Sequence, residues 1–174
     1  MNNIHIAFCG LWGEVMELLS EESVSQRILE ILRAGLDRPA GGFGEQLHIG
    51  YRGYDPVRRE YLLTARTEGW MRNVDGVVHG GFCAAIADHT MGIVANSLRQ
   101  GPQIAPTIQL QISYHRPLPP EEEVLVRVRV LSATARLIHL SAEAYRAAQP
   151  ETVCFSSNAT YFCKEIHKNV LTEG

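Results

Sequence analysis

One run of residues, 80–99, is apolar on almost every side, and four long segments of alternating apolar and polar residues follow it. A helix without a broad polar face has to be covered nearly all round, so this run cannot lie on a surface. The alternating segments are 104–116, 122–132, 135–147 and 152–164. The first puts Ile108, Leu110, Ile112 and Tyr114 on one face and Thr107, Gln109, Gln111 and Ser113 on the other. The second and third repeat the pattern with Val124, Val126, Val128 and Val130, then Ile138, Leu140, Ala142 and Ala144. Period-two strands of this length with one polar face predict an antiparallel sheet, and the helix is what their apolar faces must cover. The expected fold is α+β, a strongly curved antiparallel sheet wrapped around one long central helix.

Upstream, Ser20-Glu21-Glu22-Ser23 supplies caps and early acidic residues, and Val24, Ile28, Ile31 and Leu32 recur at helical spacing until Gly35 and Pro39 end the run. This predicts an extra N-terminal helix. Residues 40–44 read as a flexible joint, and 45–54 and 60–70 as two strands of a hairpin joined by Asp55-Pro56-Val57-Arg58-Arg59. At 174 residues the chain is large enough for a single core without a staple. Its formal net charge of -3 argues against nucleic acid as a partner. The four cysteines, Cys9, Cys83, Cys154 and Cys163, have neither metal-ligand spacing nor a disulfide pattern, which fits a reducing cytoplasm and no metal. The stretch from Ile4 to Leu19 is broken by Glu14 and Glu17 and has no basic residue before it, so neither a signal peptide nor a membrane span is expected.

Asp88 is the residue that breaks the pattern. Its helical neighbours three and four positions away are Ala84, Ala85, Met91 and Gly92, none of which can pair with a charge. A carboxylate there loses hydration at a cost of several kcal/mol unless donors or a cation arrive from another segment. Gly80 and Gly81 leave backbone N–H groups unobstructed at the positive end of the helix, where a developing oxyanion can be held. Asn73 precedes Gly80 across the turn Asp75-Gly76, so its amide can reach the same spot. Eight residues of helix separate Gly80 from Asp88 by about 12 Å, too far for one helix to present both to a single carbonyl carbon. A two-fold dimer removes the difficulty by setting Asp88 of one subunit opposite Gly80 of the other.

Taken together, Asn73, the run His79-Gly80-Gly81, Asp88 and Thr107 leading into Ile112-Ser113-Tyr114 resemble the hotdog-fold acyl-CoA thioesterases of the phenylacetate-pathway and thioesterase superfamily member 2 type. The resemblance covers residues 45–164. It leaves 1–40 as an N-terminal extension with a helix and 165–174 as a C-terminal tail. It implies hydrolysis of an acyl-CoA to free acid and CoA without a cofactor, in a homodimer or homotetramer. Gly80 and Asn73 would polarise the thioester carbonyl, and Asp88 of the other subunit would activate water or attack directly. His79 would lie near the sulfur and order the loop, and Thr107 would assist Asp88. Val78 and Gly81 would contribute to substrate binding.

Other readings attach to the same residues. Cys83 in the first helical turn is a thiol without a base placed for it by spacing, and small core filling explains it. His89 points about 100° away from Asp88 around the helix, which argues against a dyad. Arg58, Arg59, Arg116 and Arg136 are candidates for CoA phosphates, with solvation the alternative for each. A hydratase or dehydratase on the same fold calls for a histidine five residues after the aspartate, where this chain has Ile93. A module that binds acyl-CoA without turnover is the remaining alternative.

Overall fold

A computed structural model describes residues 19–36, 42–99 and 103–165. Expectations that concern residues 1–18, 37–41, 100–102 and the tail beyond 165 lie outside the described residues. The elements in order are α1 (Glu21–Leu36), α2 (Phe43–Gln46), β1 (Gly50–Asp55), β2 (Glu60–Arg66), a single 3-10 turn (Gly69–Met71), α3 (Gly80–Leu98), β3 (Gln103–Ile104), β4 (Thr107–Tyr114), β5 (Glu123–Ala133), β6 (Leu137–Arg146), β7 (Gln149–Phe162) and β8 (Lys164–Glu165). Six strands form one antiparallel sheet in the order β1-β2-β5-β6-β7-β4, and β3 pairs with β8 in a small second sheet.

The alternating rows face α3 as their periodicity predicts. Val124, Val126 and Val128, Ile138 and Leu140, and Phe155, Ala159 and Tyr161 are buried in one core with Ile86, Ala87, Met91, Val94 and Ala95 of α3. The polar residues of α3 do not interrupt that core. Thr90 and Ser97 turn their hydroxyls back onto the carbonyls of Ile86 and Val94 at 2.7 Å each, so they carry no polar demand to their neighbours. Helix α1 packs on α3 and buries Val24 and Ile28 in the same core. Burying two such side chains stabilises the fold by roughly 1.5–3 kcal/mol each. Among the described residues no helix is long and apolar enough to cross a membrane.

Three local departures from the expected pattern have identifiable causes. Residues 43–46 form a helical turn, and the first strand starts at Gly50, not at residue 45. The turn is held by fully buried Leu47 and by the His89 imidazole, whose Cε1 lies 2.7 Å from where a Cβ on Gly44 would stand. The second strand ends at Arg66, because Thr67 is drawn to the carbonyls of Pro119 and Glu122. The segment 104–116 divides at Ala105-Pro106 into β3 and β4, and β4 carries a bulge. Thr107 pairs with Tyr161 and Gln109 with Thr160, which leaves Ile108 as the extra residue. The bulge inverts the sequence-based faces at this point. Thr107 turns inward to α3, and Ile108 is 60% exposed.

Candidate active site

The loop before α3 is folded by Asn73. Its Oδ1 accepts the backbone N–H groups of Asp75 at 2.9 Å and Val77 at 3.2 Å, and its own N–H meets the Val77 carbonyl at 2.8 Å. Gly76 sits at φ +82°, a conformation that glycine adopts without strain. With Oδ1 occupied, the Nδ2 end of the amide is the end left to act as a donor, and among the described residues it has no acceptor. The loop closes when His79 donates its N–H to the Met71 carbonyl and Val78 donates to Leu118. Val78 is itself 5% exposed, so its side chain anchors the loop in the core.

His79 caps α3. Its Nδ1 accepts the Gly81 N–H at 2.9 Å, which places the proton of the neutral ring on Nε2. A Cβ on Gly81 would stand 3.1 Å from that Nδ1, so glycine makes room for the cap. The first-turn donors are thereby divided. Gly81 is bonded to the imidazole, and the Gly80 N–H has no acceptor among the described residues. Gly80 is fixed from its other side by Tyr114, whose hydroxyl donates to the Gly80 carbonyl at 2.8 Å. The Tyr114 ring lies 3.1 Å from where a Gly80 Cβ would be.

Two turns along the helix, Asp88 is half-buried. The donors that its burial requires come from the sheet: Thr107 Oγ1 donates to Oδ1 at 2.7 Å, and the Tyr161 hydroxyl lies 3.1 Å from the Asp88 carbonyl and 3.4 Å from Oδ1. No cation pairs with it among the described residues. His89 packs its ring at Gly44, and desolvation lowers its pKa while nearby Asp88 partly offsets the effect.

In the sequence, Tyr114 belongs to the run Ile112-Ser113-Tyr114 without a role of its own, and Tyr161 is not singled out. Each sits in an alternating row, where a tyrosine is indistinguishable from core filling.

Cys83 is buried, and desolvation raises its thiol to about 11. A thiol that stays protonated is a poor nucleophile. Replacing Cys83 by Ser is therefore expected to leave turnover within about threefold of the parent, since large losses are confined to groups that act in the chemistry. A thiol-release assay checks this.

Among the described residues no three His, Cys, Asp or Glu side chains gather as a metal site. A cavity of about 230 Å³ lies on the outer face of the sheet, lined among others by Glu60, Arg127, Arg129, Ser141 and Asn158, and touches none of the residues above. Glu60 and Arg129 form a 2.5 Å ion pair within it.

Residues 75–153 match the pattern of the thioesterase superfamily. No curated protein matches the chain by sequence. Among solved structures, a phenylacetic acid degradation-related protein from Ralstonia eutropha JMP134 is similar at 17% identity and TM-score 0.66, over 78% of this chain and 98% of that one. The E. coli PaaI protein from the phenylacetic acid degradation operon is similar at 17% identity and TM-score 0.66, over 83% and 97%. A thioesterase from Haemophilus influenzae is similar at 15% identity and TM-score 0.66, over 81% and 94%. With the curved sheet around α3, these matches show that the chain has the hotdog fold of those structures, and that its residues 75–153 are similar to the thioesterase superfamily.

Proposed function

We propose that the protein hydrolyses acyl-CoA to a free acid and CoA at sites shared between two subunits. The observation that carries this reading is the way β4 is fastened to α3 at both ends. Thr107 at its start bonds Asp88, and Tyr114 at its end bonds Gly80. The strand is also one of the two edges of the sheet, paired among the described residues only with β7 and exposing Ile108 and Tyr114. An open, partly apolar edge is a template for another strand. Two copies of β4 paired antiparallel about a two-fold axis bring the Thr107 end of one against the Tyr114 end of the other. Asp88 then faces Gly80 of the partner subunit, which resolves the spacing of about 12 Å within one helix. A site split this way leaves no closed pocket in a single subunit.

The chemistry follows from the donors and acceptors. The Gly80 N–H and the Nδ2 of Asn73 hold the carbonyl oxygen of the thioester as it becomes an oxyanion. Asp88 takes a proton from water, whose oxygen bonds to the carbonyl carbon. Collapse of the tetrahedral intermediate breaks the C–S bond, and the thiolate of CoA leaves and is protonated. His79, with its proton on Nε2, would donate it towards the departing sulfur. Phe43 and Trp70, about half exposed, gather with Phe82 next to this helix start and suit the apolar part of an acyl group. Among the described residues Cys83, Cys154 and Cys163 are buried free thiols, which fit a reducing, cytoplasmic setting.

The test is release of free CoA thiol from a panel of acyl-CoAs, read with a thiol-reactive dye. Binding without release would establish the passive module instead. Within the assay, Asn73→Asp is the sharp probe of the oxyanion site: it preserves the acceptor that holds the loop and replaces the free donor by a second acceptor. It is expected to lower kcat about 10²–10³-fold, the usual loss for one oxyanion donor. Asn73→Asp with the parent kcat would remove that donor from the mechanism.

A further inference from the structure

Tyr161 is 1% exposed, and a phenol that deep has to find a partner for its hydroxyl. The partner is Asp88, through both its carbonyl at 3.1 Å and its Oδ1 at 3.4 Å. Thr107 donates to the same Oδ1 at 2.7 Å. The convergence is built into the sheet. Thr107 and Tyr161 are directly opposed residues of β4 and β7, and opposed residues place their side chains on one face. The bulge that follows Thr107 is what turns its hydroxyl to the face already occupied by Tyr161. Oδ1 thus takes the Thr107 hydroxyl and a longer contact from the Tyr161 hydroxyl, whose one proton it shares with the Asp88 carbonyl, and Oδ2 has no donor among the described residues. Burial pushes the Tyr161 phenol far above its ordinary range, so it remains a donor at every working pH.

We propose that Tyr161 is a positioning residue for hydrolysis: with Thr107 it fixes the plane of the Asp88 carboxylate, so that Oδ2 alone meets the attacking water. The inference rests on the reading of Asp88 as the general base. Neither hydroxyl touches the substrate. A carboxylate free to rotate presents either oxygen in many orientations, and catalysis is sensitive to such loosening.

The experiment compares Tyr161→Phe in the parent and in the Asp88→Asn variant, with acyl-CoA hydrolysis as the readout. Phenylalanine keeps the ring and its packing and removes only the donor. In the parent, kcat is expected to fall about 3- to 10-fold, the scale of one ordinary hydrogen bond, with KM changed less than about twofold. In Asp88→Asn the same substitution should leave the residual rate unchanged. Any general loosening of the core acts in both backgrounds and cancels. Thr107→Val combined with Tyr161→Phe should cost more than the product of the single losses, because each donor partly compensates for the other. Parent kcat in Tyr161→Phe, or an equal loss in both backgrounds, overturns the inference while a slow Asp88→Asn leaves the hydrolytic reading standing. An Asp88→Asn variant as fast as the parent overturns the inference together with the reading of Asp88 as the general base.

Discussion

Asparagine in place of Asp88 is expected to lower kcat for acyl-CoA hydrolysis about 10²–10⁴-fold, the range that a positioned general base contributes. The substitution is isosteric. The side-chain oxygen of asparagine can still accept from Thr107, so the contact that joins α3 to β4 survives while the group that takes a proton from water is lost. KM should change little, because a base that acts on water adds nothing to ground-state binding of the thioester. The melting temperature should not fall, since a half-buried charge is replaced by a neutral amide. Thiol release at saturating substrate and a thermal melt on the same sample supply both readings. Turnover within threefold of the parent would leave the carboxylate a structural group and remove it as the base of the reaction.

That Asp88 stands out in the sequence has a simple physical origin. The fully buried polar residues of α3, Thr90 and Ser97, carry hydroxyls short enough to satisfy themselves on the helix backbone. A carboxylate at position 88 has to be met from elsewhere, and that need is visible without coordinates. The central helix and the long strands were legible for the same reason, since hydrophobic period follows directly from which face is covered. What met Asp88 was not legible. A bulge inserts one residue without changing composition, so the alternation placed Thr107 on the outer face and Ile108 inside, the reverse of what the sheet does. Tyr161 and Tyr114 looked like members of apolar rows, because the hydroxyl of a tyrosine leaves no mark on periodicity. The helical turn at 43–46 depends on the burial of adjacent Leu47 and on His89, a contact distant in sequence, which together override a glycine-rich stretch.

The strongest consequence of a divided site is that two inactive proteins should rescue each other. Asp88→Asn and Asn73→Asp are each expected to be slow as homodimers, for different reasons: one lacks the base and the other the oxyanion donor. In a mixed dimer the two defects fall in the same site, if the base of one subunit serves the oxyanion donors of the other. The second site then joins an intact Asp88 to an intact Asn73 and Gly80. Mixed dimers, co-expressed with two tags and purified through both, should therefore recover about half the parent activity per dimer. The prediction follows from the attachment of β4, which links Thr107 to Asp88 at one end and Tyr114 to Gly80 at the other, so antiparallel pairing of two such edges exchanges the ends. If each subunit instead used its own Asp88 with its own Gly80, every site in a mixed dimer would carry one lesion and no activity would return. Mixed dimers as slow as either parent variant would rule out the exchange of ends, and with it the arrangement in which one short helix segment serves two reacting centres.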